Sequence, residues 1–213
     1  MNIHQLYKFF FRYFRTRRMR RFAESFKLRP ETRVLDVGGT PYNWSLLPFQ
    51  PRLTILNITA PPDRSGADYL VADGRLLPFR DGEFDIVYNN SVIEHLGDYA
   101  SQRRFAAECR RVGRNYYVQT PNQDFFFEPH YIAPFIHWLP KAIRRRLVRY
   151  ATVRGWMTRP SQAQVDALVA EIRLLNEREL RELFPDATIW RERFAGLTKS
   201  LMAVGAAEAG ADH

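Results

Sequence analysis

A single cysteine, Cys109, is all the thiol chemistry these 213 residues contain. That excludes an intramolecular disulfide and any metal site built from several cysteines, and it points to a reducing compartment. No apolar run approaches the ~20 residues that a membrane-spanning helix needs. Near the start, Phe9, Phe10 and Phe11 are interrupted by Arg12 and Arg15, and no small-residue cleavage site follows. The sequence therefore reads as a cytoplasmic chain without a secretory signal. Internal repeats are absent. The five histidines are scattered and lack an H-x-x-x-H pair that would seat a metal on one helix face, so no metal is expected.

Acidic residues are missing from two segments where basic ones crowd. Residues 1–30 hold nine Lys/Arg against Glu24 alone, and residues 141–160 hold seven Lys/Arg and no acid. The formal net charge is +9, so the rest of the chain is net acidic. Two basic appendages on an acidic body suit an anionic acceptor or a membrane surface at least as well as RNA. A hydrophobic fraction of 46% supports the packed core of one elaborated domain.

Residues 5–26 read as a helix, with Leu6, Phe9, Phe10, Tyr13 and Phe14 at the spacing of one apolar face and arginines beside it. Either this face packs on the domain, or residues 1–28 rest on anionic lipid as a peripheral contact. From residue 33 onward, short apolar strands alternate with helices. Strands are expected at 33–37, 53–59, 69–73, 84–89 and 115–119, with a helix over Tyr99–Val112. The second is stopped by Ala60, Pro61 and Pro62. Residues 123–174 break the rhythm: they are rich in aromatics and proline to Pro140, basic to Pro160, then helical. They read as a cap over the ligand edge of the sheet. A helix at Glu177–Phe184 and strands at 187–194 and 200–206 close the domain, and a small polar tail ends it. The organisation expected is thus a basic helix over 1–30, a cofactor-binding half over 31–122, a cap over 123–174 and closing elements over 175–208. The fold class is α/β: a Rossmann-like, doubly wound, mostly parallel seven-stranded sheet with helices on both faces.

Open sheets of this kind bind ligands at the carboxyl ends of their strands. The first strand ends in Asp36-Val37-Gly38-Gly39-Thr40. Glycines admit close backbone approach, and an acid inside the strand end suits a cationic ligand better than a phosphate. The third strand is followed by Asp73 and Gly74, and the fourth ends in Asn89, Asn90 and Ser91. A nicotinamide site would need G-x-G-x-x-G, which is missing.

These stretches resemble class I, type 11, S-adenosylmethionine-dependent methyltransferases. Val34 to Gly39 is similar to the family's first motif, and Ala72-Asp73-Gly74 with Leu77-Pro78-Phe79 to its adenine-binding stretch. Phe84-Asp85-Ile86-Val87 with Ser91-Val92-Ile93-Glu94-His95-Leu96 is similar to its signature after strand four. The resemblance covers residues 33–122. It implies S-adenosyl-L-methionine as cofactor, with Asp36, Gly38 and Gly39 near the methionine moiety, Asp73 at adenine and Asn90 beside the sulfur; the adjoining Thr40 and Gly74 are further cofactor-binding candidates. Two positions depart from the pattern. Thr40-Pro41-Tyr42 replaces a further glycine, and Asn57 stands where an acid usually grips the ribose, so weaker cofactor binding is expected.

On the acceptor side, His130 aided by Glu128 is the candidate general base for a hydroxyl. His95, beginning the helix after strand four, is the further candidate. The run from Glu128-Pro129-His130 to Pro140, with Glu177 to Pro185 and Gly196 to Ser200, resembles a bacterial subgroup associated with surface-glycan or lipid-linked sugar pathways. That resemblance implies a small-molecule, saccharide or lipid-linked acceptor. Two rival readings stay open. A nucleic-acid methyltransferase is disfavoured, because Asn89-Asn90-Ser91-Val92 is not the Asn/Asp-Pro-Pro-Tyr run of base-nitrogen enzymes. An inactive, methyltransferase-like binding module is suggested by the two departures.

Overall fold

In the computed structural model, residues 3–60 and 67–205 are described, with side chains from residue 12 onward. Pro61 and Pro62, the tail from residue 206, and the side chains of Leu6, Phe9 and Phe10 lie outside the described residues.

Chain segments that are apolar on both faces become the central strands. In β1 (Arg33–Val37), Val34, Leu35, Asp36 and Val37 are all buried, as expected of a parallel strand covered by helices on either side. β2 (Arg52–Asn57) and β3 (Asp68–Val71) lie to one side of it, and β4 (Phe84–Asn90) to the other. The β1–β2, β1–β4 and β2–β3 pairs are parallel. With β5 (Gly113–Pro121), β8 (Thr188–Phe194) and β9 (Leu197–Gly205) the seven-stranded order is β3-β2-β1-β4-β5-β9-β8. Strand order therefore reverses between β1 and β4, which puts the ligand crevice of a doubly wound sheet at Asp36–Gly39 and Asn89–Asn90. α3 (Tyr99–Val112) has the bounds the sequence predicts.

The chain forms two compact units. The first runs to Asn90 and includes Ala107–Tyr117 and the end of β9. It carries α1 (Ile3–Ser25) and the four-residue helix α2 (Pro41–Trp44). The described half of α1 is anchored by Phe14, Met19 and Phe22, all buried. The Phe22 ring meets Trp44, Tyr88 and Tyr117 edge-on with centroids 6.2, 5.0 and 5.3 Å away. The Tyr88 hydroxyl donates to the Met19 sulfur. This corrects the apolar stripe read from the sequence. Tyr13 is 55% exposed, because the face that docks is rotated toward Met19 and Phe22, where the aromatic partners are.

The second unit comprises Ser91–Ala106 and Val118–Ala203. A two-stranded antiparallel ladder of β6 (Phe127–Glu128) and β7 (Ala133–Pro134) leads into a 3-10 turn at Ile136–Trp138. Then come α4 (Lys141–Ala151), α5 (Val153–Thr158), α6 (Gln162–Glu171) and α7 (Glu177–Leu183). The basic stretch expected to precede the helices is itself helical, since Arg and Lys are good helix formers. Capping boxes at Ser161 and Asn176 start α6 and α7; each satisfies two backbone donors at once. Tyr131, Ile136, Val148, Val165 and Val169 form this unit's own apolar core.

Candidate active site

The β1–α2 turn is built around a buried acid. Asp36 has no exposed surface. Its Oδ2 accepts a 2.7 Å bond from the Trp44 indole nitrogen, whereas its Oδ1 is buried without a hydrogen-bond partner. Burial pushes this carboxyl up to about 7, with the Trp44 bond pulling the other way. Gly38 takes φ +79°, which favours glycine. At Gly39 an added Cβ would overlap the Asp36 carboxylate, so only glycine lets the turn close over the acid. Thr40 stands before α2 with extended backbone and no capping bond from its side chain.

The neighbouring strand ends complete the crevice within the same unit. Asn57 Nδ2 donates to the Gly39 carbonyl at 3.0 Å, so the amide that replaces the usual acid props the glycine turn. An aspartate could not donate this bond. Asn89 Nδ2 donates to the Val37 carbonyl at 2.7 Å, tying β4 to β1, while its Oδ1 is buried and unpartnered. Asn90 Oδ1 accepts from Arg18 Nη1 of α1 at 3.0 Å. Asp73 is gripped by Arg75 through Nε and Nη2 at 2.6–3.0 Å, and this partner holds its carboxyl below the ordinary range. Gly74 behind it is buried.

The second unit gathers a different set. The turn after β4, Ile93–Leu96, presents a fully buried Glu94 beside His95. Thr120 Oγ1 donates to Glu94 Oε2 at 3.2 Å, and Oε1 has no partner. Burial raises the Glu94 carboxyl above its ordinary value. His95 Nδ1 lies 2.6 Å from Glu171 on α6, and His130 Nδ1 lies 2.5 Å from the buried Glu128. Glu128 also accepts the Tyr131 backbone N–H at 2.8 Å. The two imidazoles meet edge to face, with centroids 4.8 Å apart. Burial works against charge on His130, yet the bond to Glu128 and the charges of Glu128 and Glu94 leave it above the usual histidine range. His137 goes the other way, pulled down by burial, with Nε2 on the Gln123 carbonyl at 2.9 Å.

A family model described as a methyltransferase domain matches residues 50–115. That span runs from the start of β2 into β5 and includes Asp73, Asn90 and the Glu94-His95 turn. Over that span the chain is similar to methyltransferase domains. No curated protein matches its sequence. Among solved structures, 1,6-didemethyltoxoflavin-N1-methyltransferase from Burkholderia thailandensis is 16% identical at TM-score 0.57, over 90% of this chain and 77% of that one. A protein from Pyrococcus horikoshii OT3 is 16% identical at TM-score 0.52, over 87% and 89%. A Rhodobacter sphaeroides protein described as a Zn-dependent alcohol dehydrogenase is 13% identical at TM-score 0.56, over 82% and 84%. Likenesses this remote establish the Rossmann-like fold.

The sequence-predicted positions thus fall into two groups. Asp36, Gly38, Gly39, Thr40, Asn57, Asp73, Gly74 and Asn90 belong to the first unit, and His95, Glu128 and His130 to the second. Sequence reasoning missed Trp44, Arg18 and Glu171. Trp44 had a signal, an aromatic donor eight residues after an acid that must be buried. Glu171, 76 positions from His95, had none.

Proposed function

We propose that the protein is an S-adenosylmethionine-dependent methyltransferase that methylates a hydroxyl group, carried on a lipid-linked saccharide, with the Glu128–His130 pair removing the proton. The observation that carries this reading is the 2.5 Å contact between His130 Nδ1 and the buried Glu128. A carboxylate can only accept, so Nδ1 donates, and Nε2 of the neutral ring keeps the lone pair that a base requires.

Bound S-adenosylmethionine supplies a methyl group made electrophilic by its sulfonium. The first unit offers it suitable partners: the orphaned Oδ1 atoms of Asp36 and Asn89 are buried acceptors lacking donors, which the cofactor's ammonium would provide. Gly38, Gly39 and Thr40 line that approach, and Asp73 and Gly74 would face adenine. Ile58, 76% exposed beside Asn57, gives the flat base an apolar surface. Asn57 would meet the ribose through its amide oxygen, a neutral and therefore weaker acceptor than a carboxylate. Asn90, steadied by Arg18, would border the sulfur. In the transfer, the acceptor oxygen forms the O–C bond as the C–S bond breaks, the bonding pair stays on sulfur, and the hydroxyl proton moves to His130.

The lipid-linked acceptor is favoured by the surface of the second unit. Ile143, Leu147 and Tyr150 are exposed at i, i+4, i+7 on α4, and Trp156 and Met157 are exposed on α5. Arg145, Arg146 and Arg149 flank them. Aromatic and aliphatic side chains edged by arginine fit an anionic lipid interface.

The test is transfer of radiolabelled methyl into separated lipid-extractable, soluble-glycan and RNA fractions. Label in the lipid-extractable fraction that resists mild base as an ether is the expected result. Label in RNA alone sinks the reading. His130→Ala should lower turnover about a hundredfold with cofactor affinity unchanged, and unaltered turnover removes His130 as the base.

A further inference from the structure

Three residues of the second unit are arranged as metal ligands are. One donor atom each from Glu94, His95 and His130 lies within 4.8 Å of the others. Two features distinguish this set from a chance cluster of polar groups. First, both imidazoles are already oriented from behind by carboxylates, His95 by Glu171 at 2.6 Å and His130 by Glu128 at 2.5 Å. That is how metal-binding histidines are usually held: the second ring nitrogen donates to an acid, which fixes the tautomer and makes the other nitrogen a better donor. Second, Glu94 is wholly buried and its Oε1 has no hydrogen-bond partner. A buried carboxylate oxygen without a partner costs stability unless a cation or a donor meets it.

The supporting frame is tied by hydrogen bonds. The Ile93–Leu96 turn is fixed by Gln102, whose Nε2 donates to the carbonyls of Ile93 and Arg173 at 3.0 and 2.8 Å. The Arg173 backbone N–H donates to the Glu94 carbonyl at 2.8 Å. Glu128 is pinned by the Tyr131 N–H, and Arg154 Nη1 donates to the His130 carbonyl at 3.1 Å. Both imidazoles are already held by these bonds, so little ordering would oppose ligand binding.

We propose that Glu94, His95 and His130 bind one divalent transition-metal ion, with Glu128 and Glu171 orienting the two histidines. Two nitrogens and one carboxylate oxygen suit zinc, cobalt, iron or manganese better than the all-oxygen preference of magnesium or calcium. Three protein ligands leave at least one position open for an acceptor hydroxyl. The inference rests on the hydroxyl-acceptor reading only for what it says of catalysis. In the loaded protein His130 is a ligand, and the acceptor hydroxyl coordinated at the open position releases its proton to solvent. The His130 base then describes the metal-free protein. Periodicity along the chain gave no hint of this, because the ligands are sequence neighbours only at 94 and 95.

The full chain, stripped with chelator and dialysed, is titrated with Co2+ and followed by visible absorption, with Zn2+ competition by calorimetry. One equivalent of Co2+ should give ligand-field bands that Zn2+ abolishes, and His95→Ala and His130→Ala should each weaken binding at least tenfold. His95 is half-buried, so His95→Ala tests the site even if Glu94→Gln disturbs the fold; the melting temperature of each variant is recorded alongside. Absence of a stoichiometric Co2+ complex, or affinity unaltered in both histidine variants, overturns the inference. Cofactor titration of the same metal-free sample keeps the two readings apart. A sample that takes up S-adenosylmethionine and methylates acceptor but forms no Co2+ complex loses only the metal site, whereas one that binds Co2+ but transfers no methyl group loses the acceptor reading.

Discussion

Asp36 links local chemistry to measurable behaviour. Its carboxyl is raised to about 7 in the fold, against roughly 3.9 in an unfolded chain. The native state therefore holds the proton more tightly, so stability from this group is greatest at low pH. It declines as pH rises from about 4 to about 7 and levels off above that. Cofactor binding has the opposite dependence. A cationic ligand beside Asp36 favours the carboxylate, so below pH 7 binding must expel the proton, and affinity should fall by up to about tenfold per pH unit. Titration calorimetry in two buffers of different ionisation enthalpy would report both the slope and the released proton. Asp36→Asn should flatten the profile and weaken binding throughout. An affinity indifferent to pH in the native protein would mean that Asp36 does not face the ligand's charge. Asp36, Gly38 and Gly39 were legible in the sequence as an acid-glycine turn at a strand end. The raised carboxyl was not, because it follows from burial and from Trp44, which only the folded turn brings to it.

At the scale of elements, α1 is the informative case. Its arginines and aromatics suggested two uses, packing or lipid contact, and periodicity could not choose between them. In the described half the aromatic cluster does, since Phe22 sits among Trp44, Tyr88 and Tyr117, with Tyr88 and Tyr117 stacked at 5.4 Å. Phe22→Ala should cost about 3–5 kcal/mol of stability, read as a fall in denaturation midpoint with unchanged slope. A loss below about 1 kcal/mol would show that the helix docks without depending on this ring. Arg18 belongs to the same element, so its bond to Asn90 couples helix docking to the site. The sequence could not reveal this, because the two positions are 72 residues apart.

For the whole molecule, charge distribution is the property that matters. The net +9 is concentrated near the start and on α4 and α5, while no helix among the described residues is long and apolar enough to cross a membrane. Binding to vesicles containing anionic lipid should therefore be reversible and should weaken several-fold between low and physiological salt. Sedimentation with phosphatidylserine vesicles, compared with neutral ones, would measure it. Replacing Arg145, Arg146 and Arg149 with glutamate should abolish partitioning without altering cofactor affinity. Equal partitioning of native and substituted protein would remove the α4 surface as the lipid contact.

Local pattern and composition were enough to determine the parallel sheet, the acid-glycine turn, the bounds of α3 and the family resemblance. Each of these depends on residues close together in the chain, where strand burial, helix period and turn chemistry act. Only tertiary structure decided which face of α1 docks, that Asn57 props Gly39, and that Glu94, His95 and His130 come together with Glu128 and Glu171 behind the two rings. Those contacts join segments tens of residues apart, and no local preference encodes which distant partner will fill a buried carboxylate's neighbourhood.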